Sequence, residues 1–314
     1  MKRPVPCWIP LLLLLPILGA ASCSPRTEGS IPLPGTSPSA ASGAAVAQEP
    51  VPAEIPWRTS YSEAEAEAKK SGKPILVTLH TDWCGYCRKM EGEVFPDERV
   101  RRAAAPYVPV RLDGEKEGQP LVRKFGVTGF PAHMVLTPEG FIALMIPGYL
   151  PAESFVTTLN EGIGRYEQGL QLEQQYRQNP SDLENATKLG QLHADRGNVQ
   201  GAEEIRAVLE KADPQNNRNW KAPLYNQLAA SYLTRNEFDA ALPLLKEAVK
   251  IATDTPDVVQ SHLNLAMCYG MRNRSAEGIP LVERVLGLPD APEERRGQAE
   301  RLLTMLRQDS TKKK

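Results

Sequence analysis

At 314 residues, with 37 Lys and Arg set against 38 Asp and Glu, the chain has room for two compact domains and a formal net charge of only −1. That balance excludes a nucleic-acid surface of the electrostatic kind, which needs a clustered positive field. The closing Lys312-Lys313-Lys314 reads as the end of a frayed basic tail over 309–314.

In chain order, Lys2 and Arg3 precede an apolar run from Trp8 to Leu18 that Pro10 and Pro16 interrupt. The run is too short to span a bilayer but suits a secretion signal. It ends in Leu18-Gly19-Ala20-Ala21-Ser22-Cys23, which resembles a bacterial lipoprotein cleavage site. The resemblance implies a signal over 1–23, lipidation of Cys23 and a membrane anchor in the cell envelope. The alternative is cleavage near Ala20 or Ala21 with release of a soluble protein. Residues 24–56 are rich in Pro, Ser, Ala and Gly without a hydrophobic period, which predicts a disordered linker. As a flexible chain it would reach roughly 30 Å from its anchor.

Glu63-Ala64-Glu65-Ala66-Glu67-Ala68 followed by Lys69-Lys70 predicts a surface helix, acidic early and basic late. Lys73 to Leu79 then reads as a buried strand, and Arg88-Lys89-Met90-Glu91 opens another helix. Between them lies Trp83-Cys84-Gly85-Tyr86-Cys87. A Cys-x-x-Cys at a strand-to-helix turn puts the first sulfur at a helix N-terminus, where unpaired N–H groups and the dipole favour a thiolate. Downstream come Val127-Thr128-Gly129-Phe130-Pro131, a strand Ala132 to Leu136, the turn Thr137-Pro138-Glu139-Gly140 and a strand Phe141 to Ile146. Gly148 and a helix from Pro151 to Gly162 close the series.

With these pieces in this order, residues 57–164 resemble the thioredoxin superfamily. The resemblance implies an α/β thioredoxin-like domain whose Cys84 attacks a substrate disulfide and whose Cys87 resolves the mixed disulfide. It implies a cis Pro131 facing the pair, leaving the preceding carbonyl for a substrate chain. Trp83, Gly85, Tyr86 and Phe130 would shape the substrate groove. Cys84 is expected to be the exposed sulfur and Cys87 the covered one. Two departures stand out. Thr78 occupies the place, six before the first Cys, where thioredoxins carry a buried Asp, and Gly85-Tyr86 replaces Gly-Pro, as in periplasmic disulfide isomerases. Arg88 and Lys89 either favour the thiolate or form a solvated face.

From Arg165 onward strand signals disappear. Gly190, Ala229 and Ala266 recur at intervals of 39 and 37, and small residues return twelve positions later at Ala202, Ala241 and Gly278. Gly197-Asn198, Asn236 and Asn273 mark turns inside paired helices, and Pro243 is expected early in a second helix. This resembles tetratricopeptide repeats and predicts an all-α repeat domain over 165–308, capped by helices around Tyr166–Gln178 and Pro292–Arg307. Such a stack offers a surface for a peptide or protein partner.

Of the five cysteines, Cys7 leaves with the signal and Cys268 reads as a small buried residue, so Cys84–Cys87 is the working pair. The chain holds no phosphate-binding glycine loop, nucleophilic serine motif, paired-carboxylate signature, flavin site or nicotinamide site. The expectation is therefore no cofactor beyond the redox-active disulfide, protein thiols and disulfides as substrates, and electrons delivered by a membrane partner protein. Two alternatives remain. One is a non-enzymatic adaptor; the other is a metallochaperone in which His80 and His133 join Cys84 and Cys87, although no second ligand motif supports a metal. His193 and His262 read as structural.

Overall fold

The computed structural model describes residues 52–311, all within one compact unit, Val51–Lys314. The predicted signal, the Cys23 lipidation site and the linker as far as residue 51 lie outside the described residues, as do Lys312 to Lys314. Residues 52–56, read from composition as linker, instead lie against the domain. Ile55 is buried with Leu76, Val135 and Phe155, and Arg101 donates to the Pro52 and Ala53 carbonyls. One apolar side chain in reach of the core outweighs the surrounding composition.

The first part of the chain runs α1 (Tyr61–Ser71), β1 (Ile75–His80), α2 (Gly85–Lys89), a π-helical turn (Met90–Val94), α3 (Glu98–Ala104) and β2 (Val108–Asp113). It continues with α4 (Gln119–Phe125), β3 (Ala132–Leu136), β4 (Ile142–Pro147) and α5 (Ala152–Gln178). The sheet order is β2-β1-β3-β4, with β1 parallel to β2 and antiparallel to β3, and β3–β4 a hairpin. Because side chains alternate along a strand, Ile75, Val77 and Leu79 pack towards α1 and α4, while Leu76 joins Phe155 and Leu159 of α5 on the other face. Register decides the rest. Leu79 faces Ala132, so Pro131 arrives beside the end of β1 that feeds the cysteines; Ile75 faces Leu136, so the turn 137–141 lies at the other end.

The predicted break between a closing helix and a capping helix near 162–165 does not occur. α5 is a single helix of 27 residues. Gly162 is there for close packing and not as a stop: a Cβ would fall 2.7 Å from Val135 Cγ2 and 3.0 Å from the Tyr107 hydroxyl. Beyond it stack α6 (Leu183–Asp195), α7 (Val199–Ala212), α8 (Lys221–Thr234), α9 (Phe238–Ile251), α10 (Thr255–Met271), α11 (Ser275–Leu286) and α12 (Glu293–Thr311). Gly197, Asn236 and Asn273 have φ of 76°, 59° and 60° at the three inner turns, the left-handed conformation that Gly and Asn tolerate best. Gly278 lets two helices close, since a Cβ would fall 2.9 Å from the Ala266 carbonyl. Pro243 lies further inside α9 than expected, at its sixth position, and Pro280 holds the same place in α11. α12 continues through 309–311, which composition assigned to the tail.

The repeats meet the sheet at the end away from the cysteines. Tyr166 donates to the Gly72 carbonyl at 2.8 Å, and the Ile142 amide donates to the Arg196 carbonyl at 3.2 Å. The Arg196 guanidinium donates to the Arg165 carbonyl at 2.7 Å, passing over Gly169, where a Cβ would clash.

Candidate active site

After His80 the chain leaves the sheet and Cys84 caps α2, its Sγ accepting the Cys87 amide N–H at 3.0 Å. Cys84 and Cys87 are joined as a disulfide. Both are buried, 3% exposed each, so the expected contrast between an exposed Cys84 and a covered Cys87 is absent in this state. The bonded sulfurs turn towards each other over the first helical turn, and the exposed surface passes to Trp83 and Tyr86, at 64% and 62%.

Each of these aromatic rings is held. The Trp83 indole N–H donates to Glu115 Oε1 at 3.1 Å, and its ring meets Phe130 edge-on with centroids 6.1 Å apart. Phe130 in turn lies against Gly114, where a Cβ would fall 2.3 Å from its ring. On the other flank Tyr86 lies 5.7 Å from Tyr149, and Lys89 Nζ sits 4.8 Å from the Tyr149 centroid. Phe130–Pro131 is a cis peptide bond, and the Pro131 carbonyl accepts the Gly148 amide at 2.9 Å, which ties the end of β4 to this loop. Lys116 pairs with Asp82 at 3.2 Å and Asp113 at 2.7 Å, and these hydrogen bonds raise its pKa. Arg88 reaches the Asp82 carbonyl at 3.0 Å.

Gly114, Glu115, Lys116 and Tyr149 escaped the sequence reading. Their signal was a charged Asp113-to-Gly118 loop and an aromatic residue after Gly148. Neither can be assigned to the cysteines until strand register brings them there.

Beneath the sheet's active end, Thr78 and His133 are cross-strand partners, Oγ1 and Nδ1 3.0 Å apart. His133 is fully buried, with Phe95 and Phe155 rings at 6.2 and 4.9 Å, and burial pushes its pKa down to about 3. It is a neutral side chain committed to Thr78. His80, half-buried, also has its pKa lowered by burial. Among the described residues no group of three or more His, Cys, Asp or Glu is placed to hold a metal. The four-residue set of the metallochaperone alternative is therefore not assembled. His262 is buried and bonded to the Val258 carbonyl, whereas His193 lines a cleft of about 370 Å³ with Arg196, Tyr166 and Leu170.

The family described as thioredoxin-like domain matches residues 61–163, the span of this sheet and its flanking helices. Residues 61–163 are a thioredoxin-like domain. The tetratricopeptide repeat family matches residues 224–255, which are α8 and α9. Over 110 residues the chain is 31% identical to the thiol:disulfide interchange protein DsbD of Ralstonia nicotianae, covering 34% of this chain and 18% of that one. Over 94 residues it is 33% identical to the chloroplastic thioredoxin-like protein HCF164 of Arabidopsis thaliana, covering 30% and 36%. This chain thus spans well under half the length of these relatives. Among solved structures, a thioredoxin from Thermus thermophilus shares 30% identity with a TM-score of 0.31, covering 33% of this chain and 83% of its own. No helix among the described residues is long and apolar enough to cross a membrane.

Proposed function

We propose that the protein is an exported, membrane-tethered thiol–disulfide oxidoreductase that exchanges disulfides with envelope proteins through Cys84 and Cys87, and that its repeats bind a protein partner. The observation that carries the redox reading is the Cys84–Cys87 disulfide at the N-terminus of α2, with Cys84 Sγ accepting the Cys87 amide, inside a thioredoxin-like domain. In the reduced protein that amide and the helix terminus stabilise a Cys84 thiolate.

The thiolate attacks one sulfur of a substrate disulfide; the other sulfur leaves as a thiolate and a mixed disulfide forms. Cys87 then loses its proton, attacks Cys84 Sγ and expels the second substrate sulfur. Two electrons pass to the substrate and the Cys84–Cys87 bond forms, so a dithiol donor must reduce the pair again. Pro131 and Phe130 would line the substrate groove, with Trp83, Gly85 and Tyr86 completing it; the edge-on contact of Phe130 with Trp83 supports this arrangement. Cys23 would carry the lipid. The names of the DsbD relatives, thiol:disulfide interchange proteins, support the reading.

The test is to equilibrate the protein in glutathione buffers and measure the thiol fraction by trapping. A reduction potential near or below about −220 mV marks a reductase, and one of about −120 to −180 mV an isomerase or oxidase. Absence of any reversible transition would remove the enzyme reading. Replacing both cysteines, Cys84→Ser with Cys87→Ser, separates it from the adaptor: full function in the host without the sulfurs would favour a scaffold.

A further inference from the structure

Only four large apolar or aromatic side chains are exposed among the described residues: Trp83, Tyr86, Leu170 and Val208. The first two are the most exposed, and they flank Cys84. Exposed aromatic surface beside a reactive sulfur needs a reason, because it costs solubility and gains nothing in the core. Both rings are also backed from behind. Trp83 rests on Phe130 and Glu115; Tyr86 rests on Tyr149, which is half-buried against the core that contains Phe155.

The backbone makes the second arrangement specific. β4 ends at Pro147, Gly148 turns with φ of 77° while its amide holds the Pro131 carbonyl, and Tyr149 is thereby laid over α2. A residue with a Cβ is strained at that φ. Lys89, one turn after Tyr86 on α2, places its ammonium over the Tyr149 ring and fixes it from a second side.

We propose that Tyr149 is a positioning residue. Together with Lys89 it holds Tyr86 upright as a stacking platform, and this platform selects substrates that carry a large aromatic residue next to the reacting cysteine. The proposal rests on the thiol–disulfide reading above. A free tyrosine at the surface would lose rotamer freedom on stacking, whereas a ring already backed by Tyr149 loses little. The ring-to-ring geometry, 5.7 Å and tilted by 33°, covers one side of Tyr86 and leaves the outward side to a ligand. Trp83 and Tyr86, the two most exposed rings, adjoin the buried Cys84 and Cys87 in sequence, one before the pair and one within it.

The experiment uses the full chain, reduced with dithiothreitol and desalted, mixed with short symmetric peptide disulfides. In one the cysteine is flanked on both sides by Phe, in the other by Gly. In each single turnover one peptide disulfide becomes two thiols and the Cys84–Cys87 disulfide forms. The readout is the ratio of the two second-order rate constants within each variant, which general damage to the fold does not move. The unaltered protein should prefer the Phe peptide by about three- to ten-fold, the range expected for one aromatic pair. Tyr149→Ala should bring the ratio close to one, and Tyr149→Phe should keep it. Tyr149→Leu, which retains apolar volume against the core, provides the same comparison if the alanine variant does not fold. Equal rates in the unaltered protein, or a preference that survives Tyr149→Ala and Tyr149→Leu, overturn the proposal alone. Failure of the unaltered, fully reduced protein to exchange either peptide overturns the thiol–disulfide reading and the platform with it.

Discussion

At the scale of single residues, Thr78 and His133 carry the most unusual chemistry. A hydroxyl and a neutral imidazole share the buried space under the active end of the sheet, where thioredoxins place an acid. With no carboxylate at that position, the proposed exchange lacks the acid that would take the Cys87 proton, and resolution by Cys87 is expected to be slow unless another group acts as base. Thr78→Asp should therefore speed release from a mixed disulfide, measured by quenched-flow thiol trapping, and an unchanged rate would dismiss a role for this position. His133 also gives stability a pH dependence. Its pKa is about 3 in the folded protein against an ordinary 6.5, so between those values the unfolded chain binds the proton and the folded one does not. Stability should fall as pH drops from 6.5 towards 3 and be unaffected by this group above 6.5. Chemical denaturation of His133→Leu should show a shallower loss across that window; an unchanged slope would mean that other groups carry the acid sensitivity.

Legibility at this scale followed distance along the chain. Cys84, Cys87, Trp83 and Tyr86 are neighbours in sequence, and Pro131 was marked by the resemblance to the thioredoxin superfamily, whose order of elements places a cis-proline there. Glu115, which holds the Trp83 indole from 32 residues away, gave no such signal. The contact exists because β1 and β2 run parallel and end together, and pairing of that kind is written in no local pattern.

At the scale of elements, α5 offers the clearest test because two of its glycines have opposite roles. Gly162 faces the sheet with Val135 and the Tyr107 hydroxyl against it, whereas nothing lies within 4 Å of the Cβ position at Gly164. Gly162→Ala should cost about 1–3 kcal/mol through overpacking. Gly164→Ala should stabilise by about 0.5–1 kcal/mol, because alanine has less backbone freedom to lose. Thermal melts of the two variants should shift in opposite directions; shifts of the same sign would contradict the packing described. The same helix crosses from the thioredoxin-like domain, which ends at 163, into the repeats without a break. Glycines and a change in composition mark a break in sequence, yet a helix continues wherever each turn finds something to pack on.

At the scale of the whole molecule, the repeats hold the thioredoxin-like domain by the end opposite its disulfide. Arg196 is the fastener: 7% exposed, it receives the first amide of β4 on its carbonyl and sends its guanidinium to the Arg165 carbonyl. Arg196→Ala should loosen this junction, so that calorimetry resolves two unfolding transitions in place of one while the reduction potential stays the same. A single transition would show that the guanidinium is dispensable and that α5 with the main-chain bond from Ile142 to the Arg196 carbonyl couples the two parts. The attachment leaves the face around Cys84 open to an incoming protein.

The sequence by itself determined the identities that depend on short range: the cysteine pair at a strand-to-helix turn and the small-residue period of the repeats. These are patterns of neighbouring residues, and neighbours dictate turns, caps and helical faces. The cis Pro131, in contrast, came through the resemblance to the thioredoxin superfamily. Tertiary structure alone decided which distant residues meet the sulfurs, where Ile55 goes, and that α5 runs unbroken into the repeats. Those outcomes depend on strand register and close packing, which are settled only when separate elements compete for the same buried space.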